Sequence, residues 1–242
     1  MRIGLLQCDD VAPELRERHG NYPEMFAQLF AAVDSNLSWR VWRCLDGEFP
    51  DGVEAVDAWM TTGAKFSVND DLPWIADLEA FVRTLWQAGK PLVGICFGHQ
   101  LIAKALGGRV IQSPRGWGVG LSFNQVTERP EWMAPAQDTL DLVVSHQDQV
   151  VELPPGARVL GGSDFCPAYL MQVGEHFLGV QGHPEFTKAY SRDLMALRAG
   201  DIGDARVREG EASLTSPVDD TLMARWILAF LRRAMHHPVH VG

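Results

Sequence analysis

Apolar residues fall along this chain in two rhythms. Short, nearly continuous apolar runs at 3–7, 39–45, 55–63, 91–96, 140–146, 157–163, 167–174 and 176–184 read as β-strands, several of them covered on both faces. Between them, apolar positions recur at helix spacing. Met25, Phe26, Leu29, Phe30 and Val33 do so over 23–34, and Leu78, Phe81, Val82, Leu85 and Trp86 over 73–88. Leu222, Met223, Trp226, Ile227, Phe230 and Leu231 mark a C-terminal amphipathic helix. Strand and helix alternate through the first hundred residues, which predicts a doubly wound, mostly parallel α/β sheet with helices on both faces. The later strand-like runs follow one another without intervening helices and predict antiparallel additions to that core. The segment 187–216 is charged, and its "TKAYSRDLMALRAG" stretch reads as a helix ended by Gly200. This divides the chain into an α/β domain over 1–186 and a helical C-terminal extension over 187–242 packed on the same domain.

Composition narrows the function classes. The chain has 242 residues, a formal net charge of −10 and 46% hydrophobic residues, ample for a buried core. The acidic balance argues against a broad nucleic-acid-binding face. No apolar run approaches the ~20 residues of a membrane helix. The opening "MRIGLLQCDD" lacks the features of an export signal and reads as a first strand, so a cytoplasmic chain with reduced thiols is expected. Cys8, Cys44, Cys96 and Cys166 form no Cys-x-x-Cys pair, and no metal or cofactor is expected. Cys8, Cys44 and Cys166 lie in or near strand-like runs and read as packing residues. His236, His237 and His240 in the tail read as solvent-exposed side chains rather than ligands.

One junction stands apart: "GKPLVGICFGHQLIAKALGG", residues 89–108. A β-type run leads into Cys96, and a helix-like stretch follows at once. Two readings fit Cys96: a small buried hydrophobe, or a nucleophile on a tight strand-to-helix turn with small neighbours at Gly94 and Gly98. On the second reading, the positive end of the following helix favours a thiolate. The main-chain N–H of Phe97 is then placed to donate to an oxyanion. A nucleophilic thiol also needs a base held by a carboxylate. "GVQGHPEF", residues 179–186, supplies His183 and Glu185, with Pro184 fixing the backbone between them. Taken singly, each has a structural reading too. Strand-end histidines and glycine-flanked cysteines are common packing residues. His99, on the helix after the elbow, points away from the thiol and reads as packing.

"GICFGHQ" together with "GHPE" resembles the paired signature of the class I, or triad, glutamine amidotransferases: Gly-x-Cys-x-Gly-x-Gln, then His-x-Glu late in the domain. The resemblance covers about residues 1–186. It implies a flavodoxin-like domain that cleaves the γ-amide of glutamine through a γ-glutamyl thioester, releasing ammonia and then glutamate. It implies Cys96 as nucleophile, His183 as base and Glu185 as its partner. "TTGAKFSVND", residues 61–70, matches the family's oxyanion loop, with Gly63 and Ala64 presenting N–H groups opposite Phe97. Gln100 matches a glutamine-holding position. "SHQDQV", residues 145–150, resembles a segment of GMP-synthetase glutaminase domains, placing Ser145, His146 and Asp148 at the substrate. Asp148 would receive the substrate α-amino group. Arg115 and Trp117 of "SPRGWGVG" stand as pocket-rim residues or, more simply, as part of a glycine-rich hairpin.

The match departs from the family pattern in two places. The oxyanion loop usually carries two successive glycines; here it reads Thr-Gly-Ala-Lys, and Ala64 serves only if its backbone angles suit a residue with Cβ. The chain after Glu185 is too short for an ATP-binding synthetase domain, and no P-loop pattern occurs. The sequence thus resembles a stand-alone branch that includes plant γ-glutamyl peptidases, which cut γ-glutamyl bonds in glutathione-type conjugates. Three functions remain: glutamine hydrolysis feeding a separate synthase in trans, γ-glutamyl peptide hydrolysis, or a non-catalytic regulatory module. The expected partner is a small γ-glutamyl substrate, with neither nucleic acid nor membrane, and with a homodimer left open.

Overall fold

The computed structural model describes residues 1–236; His237 and His240 of the tail lie outside the described residues. The chain opens with β1 (Arg2–Gln7), α1 (Pro13–His19), α2 (Tyr22–Ala31), β2 (Ser38–Arg43), β3 (Ala58–Thr61), α3 (Pro73–Gln87), β4 (Leu92–Ile95) and α4 (Phe97–Ala105). It continues through β5 (Arg109–Gln112), β6 (Gly118–Val126), β7 (Thr139–His146), β8 (Asp148–Glu152), β9 (Ala157–Gly162), β10 (Leu170–Val173) and β11 (Phe177–Val180). Four helices close it: α5 (Lys188–Leu197), α6 (Ala199–Ile202), α7 (Asp204–Ser213) and α8 (Asp220–His236).

Nine strands form one sheet in the order β2-β1-β3-β4-β11-β10-β9-β6-β7. The first five are mutually parallel, and the other four add on in antiparallel sense. This is the flavodoxin-like α/β sheet with antiparallel additions. Every residue of β3, β4 and β11 is buried, because helices cover both faces of that half. One face carries α2 and α8 on a cluster that includes Phe26, Phe30, Trp226 and Phe230. The other carries α3 and α4 on Trp59, Leu78, Leu101 and Phe177. The predicted C-terminal helix is therefore core: Trp226, Ile227, Phe230 and Leu231 are fully buried, and its start is clasped to β7. There the Asp219 N–H donates to the Asp141 carbonyl, and the Asp141 N–H to the Asp219 carboxylate, each at 2.8 Å.

Two local expectations are corrected. Gly200 does not end the helix of the charged segment. That helix stops at Leu197, Gly200 lies inside the short α6, and the left-handed glycine that closes the pair is Gly203 at φ 88°. "SPRGWGVG" is not a hairpin either. The turn at Ser113–Trp117 carries the chain from β5, which pairs with β8 in a separate two-stranded sheet, to β6 of the main sheet.

Candidate active site

Three neighbouring parallel strands end together. In register, Thr61 of β3 lies beside Gly94 of β4, and Ile95 of β4 beside Val180 of β11. The residues just past those C-terminal ends, namely Gly63, Cys96 and His183, therefore emerge at one edge of the sheet, where doubly wound folds form their clefts.

Cys96 makes the turn from β4 into α4 with φ 51° and ψ −97°, the one non-glycine at positive φ among the described residues. Its N–H is anchored to the Val180 carbonyl at 2.8 Å, and its carbonyl already accepts from Gln100 N–H at 3.1 Å. The glycines of the motif now have a cause. A Cβ at Gly94 would fall on the main chain of Gly98, and one at Gly98 would collide with Thr61 Oγ1. The two glycines let strand and helix close around the elbow, which holds the cysteine in a costly conformation. The first N–H groups of a helix have no intrahelical acceptor, so that of Phe97 is available at the thiol. Its ring packs away on Trp74, 5.6 Å between centroids.

His183, Pro184, Glu185 and Phe186 form a four-residue turn closed by Phe186 N–H to the His183 carbonyl, with Pro184 at the second position. That turn brings Glu185 Oε1 to His183 Nδ1 at 2.8 Å, and Phe186 stacks flat on the imidazole at 3.8 Å. The His183 main chain is tied to the Val143 carbonyl of β7 at 2.8 Å. Burial would strip the proton from this ring. The Glu185 carboxylate and the Cys96 sulfur, with which the ring also interacts, outweigh that and raise it to about 10. The arrangement therefore favours a charged imidazolium beside the Cys96 sulfur. Glu185 is fully enclosed, and its other oxygen has no partner among the described residues, so the imidazolium is its counter-charge. Gly63 sits against the pair: a Cβ there would stand 2.6 Å from His183 Cε1 and 3.5 Å from Cys96 Cβ.

A cavity of about 300 Å³ opens beside the thiol, lined in part by Ala64, Cys96, Gln100, Ser145, His146 and Asp148. The fold thus gathers all the sequence-predicted site residues at or next to one cleft. Ala64 is at negative φ, so alanine in place of a second glycine costs the loop nothing. The Asp148 carboxylate is held by the Ser67 hydroxyl at 2.6 Å, while its main-chain carbonyl accepts from Gln100 Nε2 at 2.8 Å. His146 is buried, pushed down to about 4 chiefly by desolvation, and its Nδ1 meets the same Asp148 carbonyl at 3.1 Å. His99 is fully buried against Gly179 of β11 and is pushed down to about 3 by its burial. Trp117 lines the cavity, whereas Arg115 is turned to the Asp164 carbonyl.

Three further residues belong to the site. Gln181 donates to the Cys96 sulfur at 3.5 Å and accepts from Gln100 at 3.2 Å. Its signal in the sequence is a fully buried amide between Val180 and Gly182 in an otherwise apolar run. Ser67 and Arg198 gave no local signal; only the tertiary fold brings them in. The other three thiols are buried and unpaired, and desolvation raises all of them, Cys44 and Cys166 to about 12. Among the described residues no cluster of three or more His, Cys, Asp or Glu could hold a metal, and no helix is long and apolar enough to cross a membrane.

Residues 69–196 match the family model described as glutamine amidotransferase class-I. The chain is 31% identical over 192 residues to γ-glutamyl peptidase 2 of Arabidopsis thaliana, covering 77% of each. It is 34% identical over 134 residues to a glutamine-hydrolyzing GMP synthase subunit of Pyrococcus abyssi, covering 55% of this chain and 71% of that one. Among solved structures, a glutamine amidotransferase of Methylobacillus flagellatus superposes with a TM-score of 0.72 at 23% identity, covering 100% of this chain and 96% of the other.

Proposed function

Because the chain belongs to the class I glutamine amidotransferase family, we propose that it hydrolyses γ-glutamyl amide bonds through a thioester on Cys96. The observation that carries this reading is the strained elbow, which sets Cys96 beside the buried His183–Glu185 pair. His183 takes the Cys96 proton and Cys96 Sγ attacks the γ-carbonyl carbon, while the oxygen gathers negative charge in front of the N–H groups of Gly63, Ala64 and Phe97. The C–N bond then breaks as His183 gives its proton to the departing nitrogen, leaving a γ-glutamyl thioester and free ammonia or amine. Water attacks the thioester and passes a proton to His183; the C–S bond breaks, releasing glutamate and the thiol. Glu185 keeps the imidazole oriented and favours its charged form. Asp148 receives the α-ammonium of the γ-glutamyl group, with Gln100 and His146 bracing its main chain and Ser145 lining the cavity.

Glutamine is the smallest amide this chemistry accepts, and the likeness to a GMP synthase subunit supports a separate synthase that takes up the ammonia. A γ-glutamyl peptide is the second substrate. The extent of the likeness to γ-glutamyl peptidase 2 and the volume of the cavity favour it. Glutamate release from glutamine and from γ-glutamyl dipeptides, with Cys96→Ala as blank, tests the reading. Turnover is expected to fall by roughly 10⁴-fold or more in the variant, the scale seen when a nucleophile is removed. A fully active Cys96→Ala would end the thioester mechanism.

A further inference from the structure

Arg198 closes α5, in the helical extension, and points its guanidinium back to the sheet, where Nη1 donates to Ser145 Oγ at 3.2 Å. Two cations line the main cavity. Lys65 is neutralised by Asp9 at 3.2 Å. Arg198 is half-buried and has no carboxylate partner among the described residues, in a chain of net charge −10. Its position within the site is specific. Arg198 lines the Cys96 cavity on the side where it also borders, with Ala64, Ser145, His183 and Phe186, a recess of only about 10 Å³, which neither Gln100 nor Asp148 reaches and which marks the His183 side of the cavity. If His183 is the acid that protonates the departing nitrogen, as proposed above, the leaving group lies on the His183 side of the thiol and the γ-glutamyl chain on the Asp148 side. Ammonia would offer Arg198 nothing. An amino acid leaving group carries a carboxylate two bonds from the scissile nitrogen, which a guanidinium fork binds well.

We infer that Arg198 receives the carboxylate of the leaving amino acid, so that this site selects γ-glutamyl amino acids over glutamine. The inference rests on the γ-glutamyl hydrolase reading and on the place of Arg198 at the His183 side of the cavity. The test compares γ-glutamylglycine with γ-glutamylglycinamide, a neutral molecule of nearly the same shape. The readout is the ratio of their kcat/KM values in the parent, Arg198→Gln and Arg198→Lys. The parent is expected to favour the carboxylate by roughly 10- to 100-fold, the worth of one charge-assisted contact. Arg198→Gln should bring the ratio near unity, and Arg198→Lys should keep part of it. An equal loss on both substrates in Arg198→Gln, or a parent with no preference, would overturn the inference while leaving the hydrolase reading intact. A parent that cleaves glutamine but neither dipeptide would overturn the inference alone, and one that cleaves none of the three would remove the hydrolase reading with it.

Discussion

The two halves of the main sheet do different work. The parallel half, β2-β1-β3-β4-β11, is buried on both faces except at its edge strand β2, and its strand ends deliver Gly63, Cys96 and His183. The antiparallel half carries Ser145 and His146 at the end of β7, and the loop after it leads to Asp148 at the start of β8. Helices α5 and α7 of the extension pack on this second half, and Arg198 at the end of α5 reaches the cleft. The groups proposed to break the bond thus stand on the half that packing constrains most, and those proposed for recognition at the edge where strands and helices were added. Chemistry common to all γ-glutamyl amides needs fixed geometry, whereas discrimination between them can be remodelled at the edge.

That contrast can be broken at graded strengths. Glu185→Gln, which spares every contact on the antiparallel half, should lower kcat by roughly 10⁴-fold with KM little changed, on the scale of other orienting carboxylates. An unchanged kcat would remove Glu185 from the mechanism. Asp148→Ala acts on the other half and should raise KM by roughly 10- to 100-fold with a smaller change in kcat, as for loss of a charged contact. A variant that loses kcat at constant KM would place Asp148 among the reacting groups instead. The smallest effect concerns pH. His183 sits near 10 in the fold against an ordinary 6.5. The stability its pairing adds is therefore full below about 6.5 and lost as pH rises through about 10. The proton needed by the leaving group persists over the same window, so the alkaline limb of kcat/KM should lie well above 6.5. Glu185→Gln should move that limb to lower pH; an identical limb in the two proteins would mean that another group sets it.

Legibility in the sequence followed the same division. Apart from the edge strand β2, the parallel strands announce themselves as nearly continuous apolar runs because both faces are covered. The proposed nucleophile and base are legible because their geometry is encoded within a few residues. Gly94 and Gly98 are demanded by the elbow, and Pro184 by the turn that joins His183 to Glu185. The antiparallel half was harder. β6, "GVGLSFNQV", hides its alternation behind Gly118, Gly120 and three polar residues, and β8, "DQVVE", begins inside a polar segment. Helix α7 has almost no apolar face, since Gly210 is its one buried residue. Arg198 and Ser67 reach the cleft only because distant segments pack together, and no periodicity in their neighbourhoods reports that.

The φ of 51° at Cys96 also bears on descent. With ψ at −97° the residue lies outside the left-handed helical region, so glycine alone adopts this conformation freely and side chains branched at Cβ fit it worst. Mutation can remove the thiol more easily than it can reshape the turn, because the glycines at 94 and 98 and the Thr61 hydroxyl between strand and helix hold the backbone whatever stands at 96. A lineage that abandoned catalysis would keep the bend and lose the sulfur. Its members would carry a small residue there, and the bent main chain would persist as a fossil of the lost reaction.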